Sequence, residues 1–173
     1  TDKQLNVLPK LTQLTKLNLY ENQLTDARLL AGLVNLKSLN LVGNELTDVS
    51  ALANLTQLTY LNLEYNQLTD MKGLGDLMQL KDLKLQSNKL IDLKGLENLT
   101  QLEGLNLADN QLTDVKGLEN LTQLEVLILE DNQLNKVPNK LENLTRLKQL
   151  VLEGNQLTDV KGLEKLTKLE GLS

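Results

Sequence analysis

An asparagine returns at almost constant spacing along the chain, and this repeat constrains the fold more than any other feature. The spacing is 22 residues five times and then 23. Each of these residues lies in the same frame of leucines, LxxLxLxxNxL; the seven are Asn22, Asn44, Asn66, Asn88, Asn110, Asn132 and Asn155. Such a period is typical of a solenoid in which each repeat stacks on its neighbours. Function should therefore depend on the positions at which the repeats differ.

Counting from the first leucine of the frame divides the chain into seven whole repeats and a partial repeat at each end. We interpret residues 1–173 as one repeat domain, because repeats of this kind bury their apolar faces against stacked neighbours. The whole repeats are 14–35, 36–57, 58–79, 80–101, 102–123, 124–146 and 147–168, and the partial repeats are 1–13 and 169–173.

The centre of each repeat predicts a short strand. In Leu17-Asn18-Leu19 apolar and polar residues alternate, which is the period of a strand with one buried face. Leu-Thr-Asp follows the asparagine in five of the seven repeats, and Thr and Asp side chains cap backbone N–H groups at turns. The rest of the repeat has room for only a turn or two of helix. We expect a parallel sheet on one side and 3₁₀ or irregular segments on the other.

Composition narrows the classes of function. Hydrophobic residues make up 40% of the chain but aromatic residues only 2%, so leucine must build the core. The net charge of −5 disfavours nucleic acid and anionic lipid, since both require a basic surface. No apolar run approaches the roughly 18 residues of a membrane span. The chain opens on Thr1 and not on Met, which leaves open whether a signal peptide has been removed.

The chain contains neither Cys nor His, which removes disulfides, thiol nucleophiles, imidazole bases and the usual zinc ligands. The many Asp and Glu residues follow the repeat and do not converge on one place. We therefore predict a protein that is not an enzyme and that uses no cofactor or metal.

The LxxLxLxxNxL frame resembles the leucine-rich repeat family. With LTDxxxLxxLTxLxxL between the strands, the 22-residue form is most similar to the internalin class of bacterial surface proteins. The resemblance implies an α/β solenoid that is curved, with a parallel sheet on its concave face, short 3₁₀ or irregular convex segments, and an asparagine ladder bonded to the backbone. Internalins usually carry proline in the convex segment, where this chain mostly has glycine; the four are Gly73, Gly95, Gly117 and Gly162.

The sixth repeat departs from its neighbours. After Asn132 it reads QLNKVPNKLENLTRL, which gains one residue, lacks the Thr-Asp pair and introduces Pro138. This sequence pattern resembles the 23-residue LxxLPxxLxxL form of leucine-rich repeat. Two interpretations remain: an ordinary mixture of repeat classes, or a local change of curvature that shapes a binding site.

Neither end of the chain has a conventional cap. Four leucines near the start resemble the convex half of a repeat, and the last residues, 169–173, read as part of a strand; the leucines are Leu5, Leu8, Leu11 and Leu14. We expect the chain to be a fragment. Because uncapped repeats expose apolar edges and unpaired strand groups, the sequence also predicts end-to-end self-association at high concentration.

Positions three, five, seven and eight of each repeat are expected to point to the concave face or its rim. All three tyrosines of the chain, Tyr20, Tyr60 and Tyr65, occupy such positions. Tyrosine is favoured in interface hot spots because it offers a large, rigid contact with a polar tip. The alternative is that tyrosine simply favours strands. The polar residues expected beside them are Asn18, Asn40, Asn62 and Glu64.

A second candidate patch lies nearer the C-terminus. Val126, Ile128 and Val151 would be neighbours on the concave face, and their acidic border is Asp109, Glu130, Asp131 and Glu153. Exposed aliphatic residues often mark interaction sites, although β-branched residues also favour strands. Asp82 and Lys84 lie between the two patches and are further candidate residues for binding a partner. The alternative is that they pair with each other.

Together these patterns predict a non-enzymatic module that binds a protein partner through its concave face. The internalin resemblance favours a bacterial adhesion or virulence protein that is secreted or at the cell surface. One alternative is a cytoplasmic regulatory or scaffold subunit whose acidic C-terminal patch meets a basic partner. Another is a spacer, or a recruiting arm for a domain outside residues 1–173.

Overall fold

The computed structural model describes residues 6–138 and 140–173. Each repeat contributes one short strand to a single parallel sheet, and the strands follow one another in chain order. The strands are β1 (Lys16–Asn18), β2 (Ser38–Asn40), β3 (Tyr60–Asn62), β4 (Asp82–Lys84), β5 (Gly104–Asn106), β6 (Val126–Ile128), β7 (Gln149–Val151) and β8 (Gly171–Leu172). The predicted parallel sheet is confirmed.

Pairing between neighbouring strands keeps equivalent positions of the repeat opposite each other. Ser38 pairs with Tyr60, and Val126 pairs with Gln149, so a step of 22 residues and a step of 23 give the same register. The extra residue of the sixth repeat is therefore absorbed in the connection and does not disturb the sheet.

The side opposite the sheet consists of single 3₁₀ turns, as expected. They span Leu8–Lys10, Arg28–Leu30, Ser50–Leu52, Leu74–Asp76, Leu96–Asn98, Leu118–Asn120 and Leu141–Asn143. At three residues each, none of the helices in the described ranges has the length and apolar character that crossing a membrane requires.

Aspartate and glycine together set the direction of these connections. Asp48 Oδ1 accepts the Ser50 N–H at 2.7 Å, and Asp70 Oδ1 accepts the Lys72 N–H at 3.0 Å. In the third, fourth and fifth repeats a glycine with positive φ then precedes the 3₁₀ turn, as at Gly95 with φ 103°. In the sixth repeat Lys140 takes this place with φ 61°, next to residue 139, which lies outside the described residues.

Leucine side chains fill the space between the sheet and the 3₁₀ turns in one continuous core. The central leucines of the inner strands, such as Leu61 and Leu83, are fully buried. At the N-terminal end Leu8 is buried, Leu11 is exposed and Leu14 is half-buried, whereas Leu5 lies outside the described residues. The core thus matches the leucine frame read from the sequence.

The repeated asparagines form the predicted ladder beneath the turn that follows each strand. Asn88 Oδ1 accepts the Leu68 N–H at 3.0 Å, and its Nδ2 donates to the Leu63 and Leu85 carbonyls, each at 3.0 Å. The same pattern holds at Asn44, Asn66, Asn110, Asn132 and Asn155. Each amide therefore joins one repeat to the previous one and satisfies backbone groups that water cannot reach.

Candidate functional site

The candidate site is the outward side of the sheet, which we call the open sheet face and define by positions three, five, seven and eight of each repeat. Side chains alternate along a strand, so Leu61 points into the core while Tyr60 and Asn62 point to the open sheet face. Variation between the repeats is therefore displayed on one continuous surface.

The tyrosines differ in how much of each side chain is available. Tyr20 is 51% exposed and Tyr65 is 55% exposed, whereas Tyr60 is half-buried. The hydrogen bond with Glu21, the charge of that carboxylate and, more weakly, nearby Tyr65 raise the pKa of Tyr20. The Lys84 Nζ lies 5.8 Å from the centre of the Tyr60 ring, within the range of a cation–π contact. Two tyrosine side chains are thus accessible, and the third is held in place.

Position eight adopts a left-handed backbone in all seven repeats, with φ between 51° and 68°. Sequence reasoning missed this feature, although the recurrence of Gly43, Asp109, Asp131 and Gly154 in that column was the signal for it. Tyr65, with φ 55°, is the bulky exception. An L-residue in this region costs about 1–2 kcal/mol, so the Tyr65 side chain is presented at some expense of stability.

Asparagine at position five has a structural role that the sequence did not reveal. Asn18 Oδ1 accepts the Tyr20 N–H, and Asn40 Oδ1 accepts the Val42 N–H, both at 3.1 Å. Each therefore caps a backbone group two residues on, just beyond its strand. Asn18 is exposed and Asn40 is half-buried, so both still border the open sheet face.

A polar network crosses the middle of the face. Asn62 Nδ2 donates to the Tyr60 hydroxyl at 3.4 Å and to Glu64 Oε2 at 3.1 Å. Asn106 Nδ2 donates to Glu64 Oε1 at 3.1 Å and to Gln86 Oε1 at 3.2 Å. The Glu64 carboxylate thus links β3 to β5. Asn62 was expected as a contact residue, but it is only 6% exposed and positions its neighbours.

The alternative for Asp82 and Lys84, a pair between their side chains, does not form. Across the described ranges, no Lys or Arg nitrogen lies within 4.0 Å of the Asp82 carboxylate. The Lys84 ammonium turns instead toward Tyr60 on the preceding strand. Burial raises the pKa of Asp82, an effect that Lys84 opposes and Glu64 reinforces.

Beside Asp82 the face contains a hollow of about 260 Å³, which we call the Gly104 hollow. Asp82 and the Lys84 stem form one wall, and Val126 and Ile128 form the other. Residues of β5 lie between these walls; they are Gly104, Leu105 and Asn106. The structure thus joins a pair of residues and an aliphatic patch that the sequence left separate.

The remaining C-terminal residues lie around the same patch. Ile128 pairs in register with Val151, and both side chains are half-buried. Glu130 is half-buried, Asp131 is exposed, and Asp109 accepts a hydrogen bond from Ser87 Oγ at 2.8 Å. In the described part of the chain, no group of three or more Asp, Glu, His or Cys residues is arranged to hold a metal ion.

Comparison with known proteins agrees with this geometry. The family described as "Leucine Rich repeats (2 copies)" matches residues 12–54, 34–76, 100–144 and 122–165. The chain belongs to the leucine-rich repeat family. None of the curated protein sequences matches it.

Among solved structures, the chain is similar to internalin C2 of Listeria monocytogenes, with 34% identity and a TM-score of 0.92 over 96% of this chain and 73% of that one. It is also similar to a leucine-rich repeat protein of Leptospira interrogans, with 40% identity and a TM-score of 0.91 over 95% of this chain and 44% of that one. The solenoid fold and the internalin-like class are therefore confirmed.

The functional domain of InlJ from Listeria monocytogenes offers a contrast in the ladder. It is 27% identical with a TM-score of 0.78, and the match covers 95% of this chain and 40% of that one. That domain includes a cysteine ladder, whereas this chain has asparagine at all seven ladder positions and no cysteine. The leucine-rich repeat chain thus spans less than half of two of these three relatives.

Proposed function

We propose that this leucine-rich repeat protein is a non-enzymatic recognition module that binds a protein partner through the open sheet face. The observation that carries the proposal is the placement of the aromatic residues. The chain has three tyrosines and no Phe or Trp, and all three tyrosines lie on this face. Rigid aromatic side chains that are half exposed are the usual anchors of protein interfaces.

The backbone at Tyr65 supports this proposal further. The equivalent positions in other repeats carry Gly, Ser, Asp or Glu, and Gly and Asp tolerate a left-handed backbone far better than Tyr does. A strained residue at an exposed position favours a functional role. Stability alone gives no reason for tyrosine there.

The setting of the face also suits a binding surface. Hydrogen bonds from Asn62 and Asn106 hold Glu64 between strands, and the sheet beneath is anchored by the buried asparagine ladder. Side chains fixed on a rigid scaffold lose less entropy when a partner binds. The face is therefore preorganised for recognition.

Likeness to internalin C2 of Listeria monocytogenes and to the Leptospira interrogans protein supports a bacterial origin. We extend the proposal to an adhesion or virulence role for a protein that is secreted or displayed at the cell surface. The expected partner is then a protein of the host surface or the extracellular matrix.

The proposal is tested by measuring binding of purified host-surface and matrix proteins to the immobilised chain. We expect the combined Tyr60→Ala and Tyr65→Ala substitutions to weaken binding at least tenfold, about 1.4 kcal/mol. A matched control is Met78→Ala with Ile91→Ala, since both side chains are 60% exposed and lie outside the open sheet face. Equal losses for the two pairs, or no loss for the tyrosine pair, would remove the tyrosines from the site.

A further inference from the structure

The Gly104 hollow owes its depth to a missing side chain. Within position three of the inner strands, Tyr60, Asp82 and Val126 have side chains, and Gly104 has none. Its backbone does not require glycine, because its φ is not positive. A Cβ atom there would lie 3.5 Å from Asp82 Oδ1, an ordinary contact. The glycine therefore leaves space that a larger residue could fill.

The acidic wall of the hollow consists of a carboxylate that faces the space. The 3.5 Å from Asp82 Oδ1 to the Cβ position of Gly104 shows that the carboxylate extends over β5. The Lys84 ammonium extends the other way, over the Tyr60 ring on β3. Within the described residues, no side-chain donor bonds the Asp82 carboxylate. Asp82 is thus the charged group that remains to be paired in this hollow.

The other walls of the hollow are apolar or already engaged. Val126 and Ile128 are half-buried and offer their aliphatic surfaces to the space. Asn106 donates to Glu64 and Gln86, and its Oδ1 accepts the Ala108 N–H at 3.0 Å. A group that fits must therefore combine an apolar stem with a cationic end. Arginine and lysine side chains have this form, since their stems pack on apolar surface while their charged ends remain solvated.

We propose that the Gly104 hollow receives one arginine or lysine side chain of the protein partner, with its stem on Val126 and Ile128 and its cation on Asp82. The inference rests on the proposed function and specifies the chemistry of the partner. The hollow, at about 260 Å³, is smaller than the roughly 300–1,000 Å³ of small-molecule sites. Its size suits a single side chain.

Charge on the surrounding face favours the same occupant. Three carboxylates follow strands that border or line the hollow: Glu64 after β3, Asp109 after β5 and Glu130 after β6. Lys84, the cation on the wall, is engaged with Tyr60. The whole chain carries a net charge of −5. A basic side chain is attracted to this surface, whereas an acidic one would lie beside Asp82 and be repelled.

The test uses the whole chain and a displayed library of random linear peptides. Peptides selected on the unmodified protein are synthesised, and their affinities are measured for Asp82→Asn and Gly104→Val. We expect the selected peptides to share one Arg or Lys position and to bind each variant at least tenfold more weakly. Replacing that basic residue by Gln should lower affinity for the unmodified protein, and Asp82→Asn should then cause no further loss.

Two matched controls exclude general effects of charge and of β-branched substitution. Asp76→Asn removes a carboxylate on a 3₁₀ turn, and Gly171→Val fills the same repeat position on the last strand. Both should leave peptide affinity unchanged, and thermal unfolding should show that all the variants are folded. If the peptides lack a common basic residue, or bind Asp82→Asn and Gly104→Val unchanged, the assignment of the hollow is overturned.

The same experiment separates this inference from the proposed function. Peptides without a basic residue that still lose affinity with Tyr60→Ala and Tyr65→Ala would leave the open sheet face as the binding site and overturn the occupant of the hollow alone. Selection of no peptides, or of peptides insensitive to every open-face substitution, would contradict both proposals.

Discussion

Asparagine occurs in two columns of this solenoid, and the columns obey different rules. At the ladder position all seven repeats carry asparagine, and five of these side chains are buried, whereas Asn22 is exposed and Asn155 is half-buried. On the open sheet face, position five is asparagine in four repeats, whereas the other three carry Lys84, Ile128 and Val151. The ladder amide bonds backbone groups of two repeats, whereas the backbone bond of an open-face amide such as Asn40 is to one nearby, half-buried N–H. Every repeat thus keeps asparagine at the position where the amide bonds backbone groups of two repeats. Other residues replace it at the position where the side chain mainly forms surface.

The largest expected difference between the columns is in stability. Asn88→Ala leaves the buried Leu68 N–H without a partner. It also removes one of the two amide donors from each of the Leu63 and Leu85 carbonyls, which keep Asn66 and Asn110 respectively. Since a buried unsatisfied group costs about 1–3 kcal/mol and each lost hydrogen bond about 0.5–1.5 kcal/mol, we expect unfolding in urea to show a loss of about 2–6 kcal/mol. The control, Asn40→Ala, should cost about 0.5–1.5 kcal/mol. Similar losses for both would mean that the columns do not differ as described.

Two glycines, one before a 3₁₀ turn and one on the open sheet face, should also differ in their effect on stability, by a smaller amount. Gly95 precedes a 3₁₀ turn with φ 103°, and the nearest atom to an added Cβ would be the Met71 carbonyl oxygen at 3.8 Å. Gly95→Ala should therefore destabilise through the backbone alone, by about 1–2 kcal/mol. Gly104→Ala on the open sheet face should stay within about 0.5 kcal/mol. Thermal unfolding measures both, and a larger loss at Gly104 would contradict its assignment as a replaceable residue.

Two aspartates, Asp48 before a 3₁₀ turn and Asp82 on the open sheet face, should make stability depend on pH with opposite signs. The backbone hydrogen bond from Ser50 lowers the pKa of Asp48, so its contribution to stability is present above the unfolded pKa and is lost as pH falls through the folded one. Burial raises the pKa of Asp82 despite Lys84 and with the help of Glu64. Stability therefore falls as pH rises from the unfolded pKa of Asp82 through its folded pKa.

Substitution by Asn isolates these two contributions in urea titrations between acid and neutral pH. Asp48→Asn should become more destabilising, relative to the unmodified protein, as pH rises. Asp82→Asn should instead gain stability relative to the unmodified protein as pH rises from the unfolded pKa of Asp82 to its folded pKa. A shift of the same sign for both variants would refute the assigned environments.

The repeat pattern was enough to predict the solenoid and the parallel sheet, because both depend on features that recur every 22 residues. The resemblance to leucine-rich repeats implied the ladder. The repeat pattern also placed all three tyrosines on one face. Other features were not predictable, since they depend on how side chains of different repeats meet. Lys84 turns toward Tyr60 and not toward Asp82, and the Gly104 hollow requires residues from three strands.

The central claim is that the open sheet face is maintained for recognition and not for stability, and Tyr65 tests it most directly. Tyr65→Asn replaces a bulky residue at φ 55° by one that tolerates a left-handed backbone, so urea unfolding should show a gain of about 0.5–1 kcal/mol. Binding of the selected peptides or of a host-surface partner, measured on the same sample, should weaken at least about tenfold. A variant that loses stability, or that binds as well as the unmodified protein, would contradict the claim.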